Sequence, residues 1–275
     1  MEITRYLARI GFTGDAATDW PTLATLQRLH LHSIPYENLD VLLGRTTGPD
    51  PAAAYHKIVE RGRGGWCYEM NGVFGWALQA LGFRVTRLAS GVMRSTSGDT
   101  GIGNHLVLRV DLDDGPVLAD VGLGGGALSP LRLVDGPLVS DGLAFRLEAL
   151  EGGWWRFHNH AGLMPPDFDF HPDCVDEALL AATCHRLQTD PDSIFVRNLI
   201  CMRFADDGRR LLLGRVLKHW TPTGSRDRLL DSPDELIDVL KRDFGIDEPE
   251  AAALWPSICA RHEAMCASQA TEDGV

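Results

Sequence analysis

With 275 residues, 44% of them hydrophobic and 23% charged, the chain has ample apolar material for a core and the charge content of an ordinary soluble protein. A formal net charge of −12 excludes a nucleic acid or an anionic membrane surface as the main partner, though a local arginine cluster can still hold a small anion. No apolar run approaches the ~18 residues of a membrane span, and with Met1-Glu2-Ile3-Thr4-Arg5 at the start no signal peptide is expected.

The first third reads as helical. Leu7 and Ile10 end a short helix near Gly11. Thr22 caps a second helix, carrying Leu23, Leu26 and Leu29, which stops near Pro35. Pro51 opens a third, with Tyr55, Ile58 and Val59 on one face and Gly62 past its end. Met70, Val73, Phe74, Ala77, Leu78 and Leu81 then form an apolar stripe at helical spacing, with Gly82 as terminator. From Arg84 the texture changes. Residues 85–93, 105–112 and 117–123 read as strands, with Asp113-Asp114-Gly115 a hairpin signal between the last two. Further strands are expected at 128–134, 143–150 and 154–160, which makes the middle section a small antiparallel barrel or sandwich. Residues 176–187 read as a helix, 195–204 and 210–219 as two strands, and Ser232-Pro233-Asp234-Glu235 as a capping box opening a helix that ends at Gly245. A last helix is expected over 251–267, followed by a polar tail from Ser268 to Val275.

Six cysteines stand at 67, 174, 184, 201, 259 and 266, with no C-x-x-C pair and no zinc spacing. The expectation is reduced thiols in a cytoplasmic protein, with no metal site. One cysteine differs from the rest. Arg61-Gly62-Arg63-Gly64-Gly65-Trp66-Cys67 delivers Cys67 to the start of the striped helix, just after two arginines. A helix N-terminus and nearby cations both favour the thiolate, which is the nucleophilic form.

A cysteine nucleophile needs a base, and the base an orienting group. His105 and Asp120 flank the expected hairpin. With a two-residue loop at 113–114, position 112 faces 115 and 107 faces 120, so His105 becomes a diagonal neighbour of Asp120 on one face. A three-residue loop without a bulge would put them on opposite faces. In the roles this suggests, Cys67 attacks, His105 takes or shares its proton, and Asp120 fixes the imidazole tautomer. Gly64, Gly65 and the run Gly122-Leu123-Gly124-Gly125-Gly126 let backbone approach a substrate closely. Taken singly, each feature also reads structurally: a core thiol, a strand histidine, a turn aspartate, a glycine-rich loop. A Cys67–His105 ion pair would keep the thiolate populated well below the ordinary cysteine value of ~8.5.

Together the motifs resemble those of the arylamine N-acetyltransferases. Residues 63–71, Arg-Gly-Gly-Trp-Cys-Tyr-Glu-Met-Asn, are similar to that family's R-G-G-x-C-x-E-x-N signature, and residues 34–40, Ile-Pro-Tyr-Glu-Asn-Leu-Asp, to its I-P-F-E-N-L segment. Asn104-His105-Leu106 and Asp120-Val121-Gly122-Leu123-Gly124 resemble its histidine and D-V-G-F-G blocks, in the family's order and at close to its spacing. The resemblance covers nearly the whole chain. It implies an α+β fold in three parts: an N-terminal helical bundle over 1–83, a central antiparallel β-barrel over 84–190 and a C-terminal α/β lid over 191–275, with a cysteine-protease-like triad. It implies a ping-pong reaction: Cys67 takes an acetyl group from acetyl-CoA as a thioester and passes it to an arylamine, arylhydrazine or arylhydroxylamine. The implied site residues are the Cys67, His105 and Asp120 triad, Tyr36 and Leu123 in the acceptor pocket, Gly124 near CoA, and Arg63 and Glu69 supporting the loop. No tightly bound cofactor is implied; acetyl-CoA is a co-substrate and a small aromatic amine the partner. Leu123 departs from the family's aromatic, and residues 182–187 from a bacterial W-Y-T-S-T-like run. Those departures keep open an amide synthase of the same fold that uses a larger acyl thioester. A thiol hydrolase shares the triad but lacks its local cysteine signature.

Overall fold

The structure, a computed structural model, describes residues 1–221 and 223–272. In its first part the chain runs α1 (Ile3–Ile10), α2 (Trp20–Ser33), β1 (Tyr36–Glu37), α3 (Leu39–Leu42), α4 (Pro51–Tyr55), α5 (Cys67–Ala80), β2 (Arg84–Val92), α6 (Arg94–Ser97), β3 (His105–Leu112) and β4 (Gly115–Ala119). There follow β5 (Leu131–Arg132), β6 (Gly136–Ser140), β7 (Leu143–Ala149), β8 (Trp155–His158), β9 (Asp167–Phe170) and α7 (Glu177–Thr189). The last part is α8 (Ile194–Arg197), β10 (Ile200–Ala205), β11 (Gly208–Leu213), β12 (Val216–Thr221), β13 (Gly224–Leu229), α9 (Pro233–Phe244) and α10 (Trp255–Glu272). Residues 273–275 of the expected polar tail lie outside the described residues, while 268–272 continue α10. Two compact units form: Met1–Ile34 with Gly48–Arg186, and Pro35–Thr47 with Leu187–Val275.

The first unit is helices against an eight-stranded antiparallel sheet of order β5-β4-β3-β2-β9-β8-β7-β6. The expected barrel is an open, curled sheet, with β5 and β6 at its two edges. Its concave core is Leu88, Val107, Leu118, Leu147, Phe157, Phe168 and neighbours. Two strands of this sheet escape the sequence pattern. Residues 136–140 form β6, and β9 inserts between β2 and β8. The β9 stretch Asp167-Phe168-Asp169-Phe170 looks like a loop because two of its four residues are acidic. Yet Asp169 is fully buried, accepting from Arg156 at 2.6 Å and Arg94 at 3.1 Å.

Local caps shape the helices. Asp19, not Thr22, caps α2, its carboxylate accepting from the Thr22 N–H at 2.9 Å. Asp50 caps α4, which continues as a π-helical turn over His56–Glu60. Gly11 and Gly245 close α1 and α9 in the left-handed region, at φ 76° and 71°.

In the second unit a five-stranded antiparallel sheet, β1-β10-β11-β12-β13, packs on α9 through Leu199, Cys201, Leu212, Leu236, Leu240 and Phe244. The expected strand over 195–204 begins instead with the short helix α8. The expected strand over 210–219 is two strands, turning at Gly214-Arg215 with Leu213 opposite Val216. Among the described residues, no helix is long and apolar enough to cross a membrane.

Candidate active site

Cys67 is the first residue of α5 and 3% exposed. What holds it there is a buried ion pair beneath the loop. Lys57, on the π-helical turn, places Nζ 2.8 Å from Glu69 Oε2, and both side chains are buried. The same carboxylate oxygen accepts from the Trp66 N–H at 3.3 Å, one of the helix's otherwise open donors. Gly65 permits this, since a Cβ there would stand 2.8 Å from Glu69 Cβ. Arg63 is buried, with its N–H on the Lys57 carbonyl at 3.2 Å. Arg63 and Glu69 are thus parts of the loop's scaffold.

The two-residue hairpin forms as the spacing predicts: Leu112 faces Gly115 and Leu108 faces Ala119. His105 opens β3, and Asp120 follows the last residue of β4 rather than lying within a strand. His105 Nε2 and Asp120 Oδ2 are 2.9 Å apart. The Cys67 thiol meets the Asn104 carbonyl at 4.0 Å, and His105 acts on it electrostatically. Phe168 packs edge-on against the imidazole at 5.3 Å between centroids.

Asn71 joins the helix to the hairpin, a function the sequence pattern does not disclose. One turn after Cys67, it donates through Nδ2 to the Leu106 carbonyl at 2.6 Å and to Asp120 Oδ1 at 2.7 Å. Its Oδ1 accepts from the Val121 N–H at 2.9 Å. The Gly122 N–H adds a second donor to Asp120 Oδ1, at 2.7 Å. Gly122 is needed for space, since a Cβ there would meet Asn71 Nδ2 at 2.5 Å and Cys67 Cα at 2.8 Å. Imidazole and carboxylate therefore form a close pair, and the backbone of Cys67 lies against the glycine that follows them.

The family model described as N-acetyltransferase matches residues 19–252. An arylamine N-acetyltransferase of Mycolicibacterium smegmatis is 35% identical over 263 residues, covering 90% of this chain and 92% of that protein. One of Escherichia coli K12 is 32% identical over 267 residues, covering 90% of each. The chain belongs to the arylamine N-acetyltransferase family. Among solved structures, the Mycobacterium marinum arylamine N-acetyltransferase in complex with CoA superposes with a TM-score of 0.82 at 31% identity, covering 94% of this chain and 98% of that one.

The electrostatics of the candidate site differ from the sequence expectation in one respect. Burial alone would pull the His105 imidazolium down, but the charge and hydrogen bond of Asp120, helped by Cys67, outweigh it and push His105 up to about 10. Burial also opposes ionisation of Asp120, yet His105, Asn71 and the Gly122 N–H hold its carboxyl below the usual range. For Cys67 the balance goes the other way. Burial pushes the thiol up, against the lowering pull of His105 and the Leu106 N–H. The expected depression of the free thiol therefore does not appear in the closed site. Thiol and imidazole titrate as a pair.

The remaining expected positions are scattered. Leu123 lines a small cavity that also touches Asp120. Gly124 lies in the loop after Asp120 at φ 76°, a left-handed conformation suited to glycine. Tyr36 belongs to the second unit, buried on β1 opposite Met202.

Proposed function

We propose that the protein transfers an acetyl group from acetyl-CoA to an arylamine, arylhydrazine or arylhydroxylamine, by a ping-pong reaction through a thioester on Cys67. The observation that carries this reading is the His105–Asp120 pair, 2.9 Å apart, with Cys67 at the start of α5, in a chain belonging to the arylamine N-acetyltransferases. The M. marinum neighbour, solved with CoA, supports CoA as the donor's carrier.

In the first half-reaction the Cys67 thiolate, with the His105 imidazolium as counterion, attacks the acetyl carbonyl. The tetrahedral intermediate collapses with cleavage of the bond to the CoA sulfur, which leaves with the imidazolium proton. His105 is then neutral. In the second half-reaction the amine attacks the thioester, His105 takes its proton, and Cys67 leaves as thiolate. Asp120 holds the Nε2–H tautomer throughout and stabilises each imidazolium. Tyr36 and Leu123 would border the acceptor and Gly124 the CoA. The reading places the enzyme in the cytoplasm, where a nucleophilic thiol stays reduced.

The test is intact-mass measurement after incubation with acetyl-CoA and no amine. The expected result is one acetyl adduct, mapped to Cys67, that disappears when an arylamine is added. An unmodified protein, or an adduct on another residue, sinks the reading. Parallel incubations with longer acyl-CoA thioesters measure the acyl size the site prefers.

A further inference from the structure

Gln27, on the buried face of α2, is 1% exposed. Its Nε2 donates to the Ala127 carbonyl at 3.2 Å, which fixes the orientation of the amide. Its Oε1 is buried and meets no donor among the described residues. Native proteins nearly always give such an atom a hydrogen bond. Gln27 lines a cavity together with Asp120, Ser129, Leu118, Leu123 and Phe157, and the space inside is about 20 Å³. That is room for one water molecule, which needs ~10–15 Å³ and at least two polar partners. It is too little for an aromatic ring.

Asp120 has a matching opening. Oδ1 accepts from Asn71 and Gly122, and Oδ2 from His105. An ionised carboxylate has about four acceptor positions. We propose that Gln27 is a positioning residue for the Asp120–His105 pair, acting through one water in this cavity. The water donates one hydrogen to Gln27 Oε1 and the other to Asp120, with the Ser129 hydroxyl as a third polar neighbour. This completes the carboxylate's donors and keeps Oδ2 turned toward His105. The inference rests on the reading that Asp120 orients His105 in catalysis.

The experiment pairs the wild type with Gln27→Met, which keeps side-chain length and removes the amide. A crystal structure resolving ordered water shows, in the wild type, one molecule within hydrogen-bond distance of both Gln27 Oε1 and Asp120. In Gln27→Met that water is gone. Without that donor Oδ2 is held less firmly against the imidazolium, so the ¹⁵N titration of His105 moves down by about half a pH unit. The kcat for acetyl transfer falls about 10-fold with KM unchanged, as for loss of one hydrogen bond to a charged group. A dry cavity in the wild type overturns the proposal even if the variant does not fold. So does a water whose removal leaves the His105 titration unmoved. Cys67→Ala separates the two levels. If it retains acetyl transfer, the thioester reading fails. If it is inactive while Gln27→Met behaves as wild type, only the role of Gln27 fails.

Discussion

Two buried asparagines, one in each unit, make the same number of hydrogen bonds to different ends. Asn38, in the second unit, donates to the Phe195 and Asn198 carbonyls at 2.8 Å each and accepts from the Ile200 N–H at 2.8 Å. Every partner is backbone, so the side chain ties the α8 turn and the start of β10 to the segment that holds β1. Asn71, in the first unit, also makes two donations and one acceptance, but one partner is the Asp120 carboxylate. That substitution of partner turns a fold clamp into part of the candidate site. Asparagine serves both because it offers donors and an acceptor on one rigid amide without a charge. The difference predicts that damage at Asn38 is read in stability and damage at Asn71 in chemistry.

The strongest way to break that comparison is at the groups Asn71 serves. Cys67→Ala should lower acetyl transfer by on the order of 10⁴-fold or more while leaving the Tm near wild type, since on the proposed reaction the loss is the nucleophile itself. CoA release monitored with an arylamine present measures it. Asp120→Asn comes next, with a fall of roughly 10³–10⁴-fold, because the amide no longer fixes the tautomer of His105. With the carboxylate's charge gone, burial dominates, and the His105 titration should drop from about 10 to below its ordinary value. An imidazole still titrating high in this variant would mean that Asp120 is not its counterion.

The asparagines themselves give the direct contrast. Asn71→Ala should cost about 10–100-fold in kcat, the range for losing a hydrogen bond to a charged group. Asn38→Ala should leave the rate of Cys67 alkylation by iodoacetamide within about twofold. It should lower the Tm by roughly 5–10 °C, since it strands two carbonyls and an N–H. Equal loss of thiol reactivity in both variants would erase the distinction.

Much of this is legible before the structure because it is local. The stripe from Met70 to Leu81 sets α5, the Asp113-Asp114 turn sets the hairpin register, and that register alone brings His105 beside Asp120. What is illegible depends on distant chain. Asp169 belongs in a strand only because Arg94 and Arg156 arrive to neutralise it. Leu211, Leu212 and Leu213 read on into 216–219 as one strand, since a Gly-Arg pair is a weak turn signal. Asn71 is visible as a motif position, but its clamp exists only once α5 lies against the end of β4. The raised Cys67 thiol has the same origin: a helix start and nearby arginines favour the thiolate, whereas the fold closes over the sulfur.

The smallest expected effect is on stability against pH, and its sign is set by the same partner. His105 is raised in the fold to about 10, from ~6.5 in the unfolded chain. Between those values the folded state binds more protons than the unfolded one, so stability falls as pH rises. The contribution is fully present below ~6.5 and lost as pH passes through about 10. The raised Cys67 and Cys184 thiols add to the decline in its upper part. Asp120, lowered in the fold, acts only in acid, where its contribution is lost as pH falls. The urea midpoint should therefore drop between pH 6.5 and 9.5. In Asp120→Asn the drop should shrink, because the imidazolium is no longer favoured, while the thiols still contribute. In Asn38→Ala it should keep its wild-type size on a lower baseline, because no member of that clamp titrates. A decline in Asp120→Asn as steep as in the wild type would show that the pH dependence arises outside the Cys67–His105–Asp120 line.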